Sequence, residues 1–119
     1  MNPHEKINYV ELPAKDLAAT KSFFESAFGW VFTDYGPEYT AFANQGLDGG
    51  FFKSELCASQ NQGSALIVFY SGALEETQTK VERAGGRISK AIFAFPGGRR
   101  FHFTEPSGNE FAVWSDIGS

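Results

Sequence analysis

A chain of 119 residues, 42% hydrophobic and 20% charged, is long enough for one buried core and too apolar to be disordered. Its formal charge of −4, without a dense cluster of Lys and Arg, offers no basic face with which to displace counterions from nucleic acid. No apolar run approaches the roughly 20 residues that span a bilayer, residues 1–6 lack the apolar centre of a signal peptide, and the single cysteine, Cys57, forms no internal disulfide. The expectation is a cytoplasmic protein with neither nucleic acid nor membrane as a partner.

In chain order, residues 7–12 alternate as a strand. Asp16 then caps a helix whose apolar stripe is Leu17, Phe24, Ala27 and Phe28 and whose end is marked by Gly29. Three strands are expected next, at 30–34, 39–43 and 50–54, divided by Tyr35-Gly36-Pro37 and by residues 46–49. Residues 55–63, rich in Ser, Gln, Asn and Gly, read as a linker. The plan then returns. A strand at 65–70 and Ser71 lead into a helix carrying Leu74, Thr77, Val81 and Ala84, with Glu75 and Glu76 in its first turn and Gly85-Gly86 after it. Strands follow at 87–95, 100–104 and 110–114. Pro96-Gly97-Gly98 and Glu105-Pro106-Ser107-Gly108 separate them, the latter with proline and glycine where a type I turn prefers them.

Leu17, Thr20, Glu25 and Gly29 recur, shifted by 57 positions, as Leu74, Thr77, Glu82 and Gly86. The fold class is therefore α+β: one domain, 1–119, built of two tandem βαβββ units at 6–54 and 64–116, each a sheet with a helix on one face. The faces without helices, if cupped together, enclose a ligand cleft.

This double plan resembles the vicinal oxygen chelate superfamily of glyoxalases, bleomycin resistance proteins and extradiol dioxygenases. The residues that carry the likeness are Val10-Glu11-Leu12-Pro13-Ala14-Lys15-Asp16-Leu17, Phe23-Phe24 before Phe28-Gly29-Trp30, and Glu105-Pro106-Ser107-Gly108-Asn109-Glu110. Within that superfamily the chain looks most like small proteins related to lactoylglutathione lyase. The resemblance implies a divalent metal in the enzymes, held by His and Glu from the first and last strands of each unit, that polarises adjacent substrate oxygens. Counted from Asp16 and from the Glu105-Pro106 turn, those positions fall on Tyr9, Leu66 and Ala112, with the fourth among Gly50, Phe51 and Phe52. None is His, Asp or Glu, so no metal is expected at the usual place and no other cofactor is indicated.

Parity singles out what remains. His102, between Phe101 and Phe103, faces away from those rings together with Arg100 and Thr104. It is either a general acid/base or hydrogen-bond donor to a ligand, or a strand histidine tied to a neighbour. Tyr9 and Glu11 share one face of the first strand, and Glu110, Ala112 and Trp114 one face of the last. A carboxylate in an aromatic cleft would have a raised pKa, as a general base needs. The alternatives are a strand-edge residue in water for Glu110 and a structural ion pair for Glu11. Of Phe51, Phe52, Phe93, Phe95, Phe101 and Phe103, most fill the core and one or two reach the cavity; Phe52 is taken as a ligand contact. Arg99 and Arg100, after Gly97-Gly98, are read as solvated hairpin arginines rather than an anion site.

The expected function is metal-independent binding of a small molecule by Tyr9, Glu11, Phe52, His102, Glu110 and Trp114. The alternative is a lyase- or isomerase-like enzyme resembling lactoylglutathione lyase. It would use a displaced divalent metal, or a metal-free acid/base pair, drawn from His102, Glu11 and Glu110. The resemblance and the frequency of twofold symmetry add the expectation of a homodimer.

Overall fold

In the computed structural model, which describes residues 2–117, the chain forms eight strands and two helices. They are β1 (Tyr9–Ala14), α1 (Leu17–Phe28), β2 (Phe32–Asp34), β3 (Tyr39–Gln45), β4 (Leu47–Lys53), β5 (Ile67–Tyr70), α2 (Leu74–Arg83), β6 (Arg87–Phe95), β7 (Gly98–Thr104) and β8 (Glu110–Ser115). Residues Gln60–Gln62 of the linker make a 3₁₀ turn. Two sheets of four strands result, ordered β1-β4-β3-β2 and β5-β8-β7-β6. The β1–β4 and β5–β8 pairs are parallel and the others antiparallel. This is the α+β arrangement of two βαβββ units that the repeat predicts. Among the described residues no helix is long and apolar enough to cross a membrane.

The punctuation acts as its chemistry requires. Asp16 Oδ1 accepts from the Ala19 N–H at 3.0 Å, and Gly29, at φ 70°, closes α1 in the left-handed region. The β3–β4 turn is shorter than expected. Asn44 takes φ 65°, its N–H donates to Asp48 Oδ1 at 3.0 Å, and the register shifts between Phe42 and Gln45. This bulge turns the chain within three residues, so residues 47–49, expected as loop, continue β4.

Helix α1 joins the units. Its Phe24 ring lies 5.7 Å from Phe51 of the first sheet and 5.4 Å from Phe111 of the second. Phe23 meets Phe103 at 5.7 Å, and Phe28 stacks on Phe69 at 4.8 Å. One buried cluster therefore spans both covered sheet faces.

The Glu105-Pro106-Ser107-Gly108-Asn109 turn fastens this core. Its backbone bond from Gly108 N–H to the Glu105 carbonyl is 2.8 Å long. Ser107 Oγ accepts from the Asp16 N–H at 3.0 Å, and Asn109 Nδ2 donates to the Pro13 carbonyl at 2.6 Å. The buried Glu105 carboxylate accepts from Thr20 Oγ1 (2.6 Å), Ser107 N–H (3.1 Å), Asn109 N–H (3.2 Å) and Asn109 Nδ2 (2.8 Å). The residues that carry the family likeness here are thus a polar clasp between units. Burial raises the Glu105 carboxyl above the usual range even against these four donors.

With the helix-covered faces sharing a core, the two uncovered faces do not meet within one chain. The expectation that they cup one another is corrected on this point. Tyr9 (43% exposed), Phe52, Val68, Tyr70 and Phe93 all remain open to solvent.

Candidate functional site

The uncovered face of the first sheet carries Tyr9, Glu11, Tyr39 and Phe52. Pairing sets Glu11 beside Gly50, Gly50 beside Ala41, and Tyr39 beside Phe52. Tyr39 Oη donates to Glu11 Oε2 at 3.0 Å and lies 2.6 Å from Tyr9 Oη, whose proton it accepts. Burial, followed by the bonds to Tyr9 and Glu11, pushes the Tyr39 phenol well above its usual value. The ring occupies the space over Gly50, where an added Cβ would lie 2.2 Å from Tyr39 Oη. Glycine is therefore required at position 50 for this phenol to reach Glu11.

The second sheet's uncovered face holds a connected polar row. Arg100 Nε and Nη2 lie 3.2 and 2.8 Å from His102 Nε2, and His102 Nδ1 lies 2.9 Å from Glu110 Oε2. Guanidinium nitrogens only donate, so Nε2 accepts and Nδ1 carries the hydrogen given to Glu110. The remaining carboxylate oxygen, Glu110 Oε1, accepts from the Gln60 N–H at 2.9 Å. Although burial works to raise the Glu110 carboxyl, the Gln60 and His102 donors and the charge of Lys90 outweigh it. The net direction is down. The raised pKa expected of a general base is not found at Glu110, because donors were not legible in its immediate sequence.

Aromatic rings border this row. The Arg100 guanidinium lies 5.7 Å from the Phe93 ring and 5.9 Å from Phe95. Trp114 is 6.2 Å from Phe95 and 5.2 Å from Tyr70. His102 itself is 1% exposed, beneath these side chains.

The six expected ligand residues thus fall into two groups on separate sheets: Tyr9, Glu11 and Phe52, and His102, Glu110 and Trp114. Sequence parity missed Tyr39, Tyr70 and the role of Arg100. Of the ring set divided between core and cavity, Phe93 lies beside Arg100 on the uncovered face, across a β6 that shifts register twice between Ile88 and Phe93. Arg99, by contrast, pairs with Glu75 on α2. His4 pairs with Glu5 at an exposed site, and Cys57 is exposed.

The four positions implied for a metal do not fit one. Tyr9 is bonded to Tyr39, Ala112 is a fully buried methyl paired with His102, Leu66 has no donor atom, and Gly50 lies under the Tyr39 ring. Among the described residues no three His, Cys, Asp or Glu side chains converge elsewhere. A separate apolar cavity of about 380 Å3 opens between the units beside β1 and β5, lined in part by Trp30, Phe42, Leu47, Ile67 and Phe69. It holds none of the six ligand candidates.

The fold and these two faces define a glyoxalase-type double unit. The sequence pattern of the Glyoxalase/Bleomycin resistance protein/Dioxygenase superfamily matches residues 6–113, and the chain belongs to that superfamily. It is 30% identical, over 89% of its length, to the anthracycline biosynthesis protein DauV of Streptomyces sp. (strain C5), and spans 45% of that protein. A glyoxalase-related enzyme from Fulvimarina pelagi superposes with a TM-score of 0.78 at 17% identity, covering 93% of this chain and 88% of the other. Lactoylglutathione lyase from Agrobacterium tumefaciens superposes at 0.70 with 21% identity, covering 96% of each chain. At such identities the structural likeness speaks for the fold alone.

Proposed function

We propose that this chain is a cytoplasmic, metal-independent small-molecule-binding protein of the bleomycin-resistance type. In this reading a flat aromatic ligand is held in a cleft formed when two chains face each other. The observation that carries it is the second sheet's uncovered face, where the Arg100–His102–Glu110 row stands among Phe93, Phe95, Trp114 and Tyr70. A sheet face that needed only water would not assemble rings around an interlocked charge row. The DauV likeness supports a fused-ring aromatic as the ligand class. The mismatch of Tyr9, Gly50, Leu66 and Ala112 with metal donors supports independence from metal. Because each uncovered face offers half a cleft, a homodimer would join the first face of one chain to the second face of its partner.

A lyase- or isomerase-like activity drawing on His102, Glu11 and Glu110 has less support. The His102 nitrogen that would act as base is held by Arg100, and Glu11 is held by Tyr39.

The test is a thermal-shift screen of fused-ring quinones against protein dialysed and analysed for metal. A raised midpoint with metal well below one equivalent is the expected result. Stoichiometric Zn, Ni, Mn or Fe, or no stabilisation by any ring system, overturns the reading.

A further inference from the structure

We infer that the second sheet's uncovered face selects aromatic ligands that carry a carboxylate, received by the outer edge of the Arg100 guanidinium. The inference rests on the binding role proposed above and adds the chemistry of the ligand's polar end.

Among the described residues Arg100 has no carboxylate partner. Both oxygens of Glu110, the acid next in the row, are already engaged by Gln60 and His102. Its chain neighbour is handled differently, since Arg99 is matched to Glu75. A half-buried guanidinium without a counter-ion is costly unless something else offsets the loss of water. Here Phe93 and Phe95 border the cation, and His102 fixes its orientation.

That orientation decides which donors are left. Nε and Nη2 together form the side edge of the fork, and both converge on His102 Nε2. The end edge, made by Nη1 and the second hydrogen of Nη2, has no protein acceptor among the described residues. Two parallel N–H groups in a plane match the two oxygens of a carboxylate. The chain His102–Glu110 holds the fork rigid, so little side-chain freedom is lost when an anion arrives. Phe95, Trp114 and Tyr70 continue from the fork as neighbouring rings. A ligand whose acid group meets Arg100 lays its ring system on them. In a chain of net charge −4, the fork is a positive point on this face, with Lys90 beside His102 across β6.

The experiment titrates the full chain with 2-naphthoate and with 2-naphthamide, which share a ring and differ in charge, following the Trp114 indole N–H by NMR. The wild-type protein should bind naphthoate about 10-fold more tightly than naphthamide, as a charge-assisted bidentate contact implies. Arg100→Met should bring the two within about 2-fold, and Arg100→Lys, which keeps the charge but loses the fork, should fall between. Circular dichroism of both variants reports their folding, and Arg100→Lys serves if Arg100→Met fails to fold. Equal binding of both probes to wild type, or a preference undiminished in the variants, overturns the inference and leaves the aromatic site standing. Binding of neither probe at Trp114 overturns both.

Discussion

Glu105 concentrates the residue-scale physics of this chain. Its carboxyl is raised by burial, so the folded state holds its proton more firmly than the unfolded chain does. Its contribution to stability is therefore greatest below the ordinary glutamate value of 4.5 and declines as pH climbs through the raised folded value. Glu105→Gln should remove that decline. It should also destabilise the protein by about 1–3 kcal/mol, because an amide NH2 would confront N–H and O–H donors that now meet an oxygen. Urea titrations of both proteins at several pH values check this: the variant should start lower and show a flatter profile. Gly50 makes a second case. Gly50→Ala pushes a methyl into the Tyr39 phenol and should cost about 1–3 kcal/mol. Tyr39→Ala should relieve that clash, giving a double-mutant cycle with clear non-additivity. Thermal melts of the three variants would decide it.

At the scale of elements, helix α1 and the late turn carry more than their lengths suggest. Phe24 touches Phe23, Trp30, Phe51 and Phe111, and is fully buried. Phe24→Ala should cost about 3–5 kcal/mol by chemical denaturation, a far larger loss than truncating exposed Phe52. Much at this scale was legible beforehand. Asp16 and Gly29 bounded α1, Pro106 and Gly108 marked the turn, and the 57-residue shift gave two βαβββ units. The site was less legible. Parity placed His102 and Glu110 on one face, but which rings of the aromatic set join them there depends on the pairing of β6, which sets Phe93 beside Arg100. Tyr39 could be joined to Glu11 only once the register of β3 on β4 was known. Spacing along the chain records faces, whereas hydrogen-bond partners depend on neighbours across the sheet.

For the whole molecule, two features await a covering surface. One is the pair of uncovered sheet faces with exposed Tyr9, Val68, Tyr70 and Phe93. The other is the pair of end strands β1 and β5, which flank the apolar cavity and have a strand partner on one side only. In the proposed dimer a second copy would supply both. Sedimentation at about 10 μM, a working range for a dimer of moderate affinity, should give a species of two chains, and a monomer there would count against the proposed cleft.

The shared core has a consequence for how the repeat is understood. Each unit has a full set of strands, yet the rings of α1 are shielded on one side by Phe69, Phe103 and Phe111, which belong to the other unit. The internal duplication visible in the text of the sequence is therefore not a duplication of autonomous folding units. A polypeptide ending at Gln60 should be a sticky, loosely ordered fragment, and so should its complement. Mixed together, the two should reassociate into a nicked protein with native spectroscopic signatures, clasped by Glu105, Ser107 and Asn109 across a break in the chain.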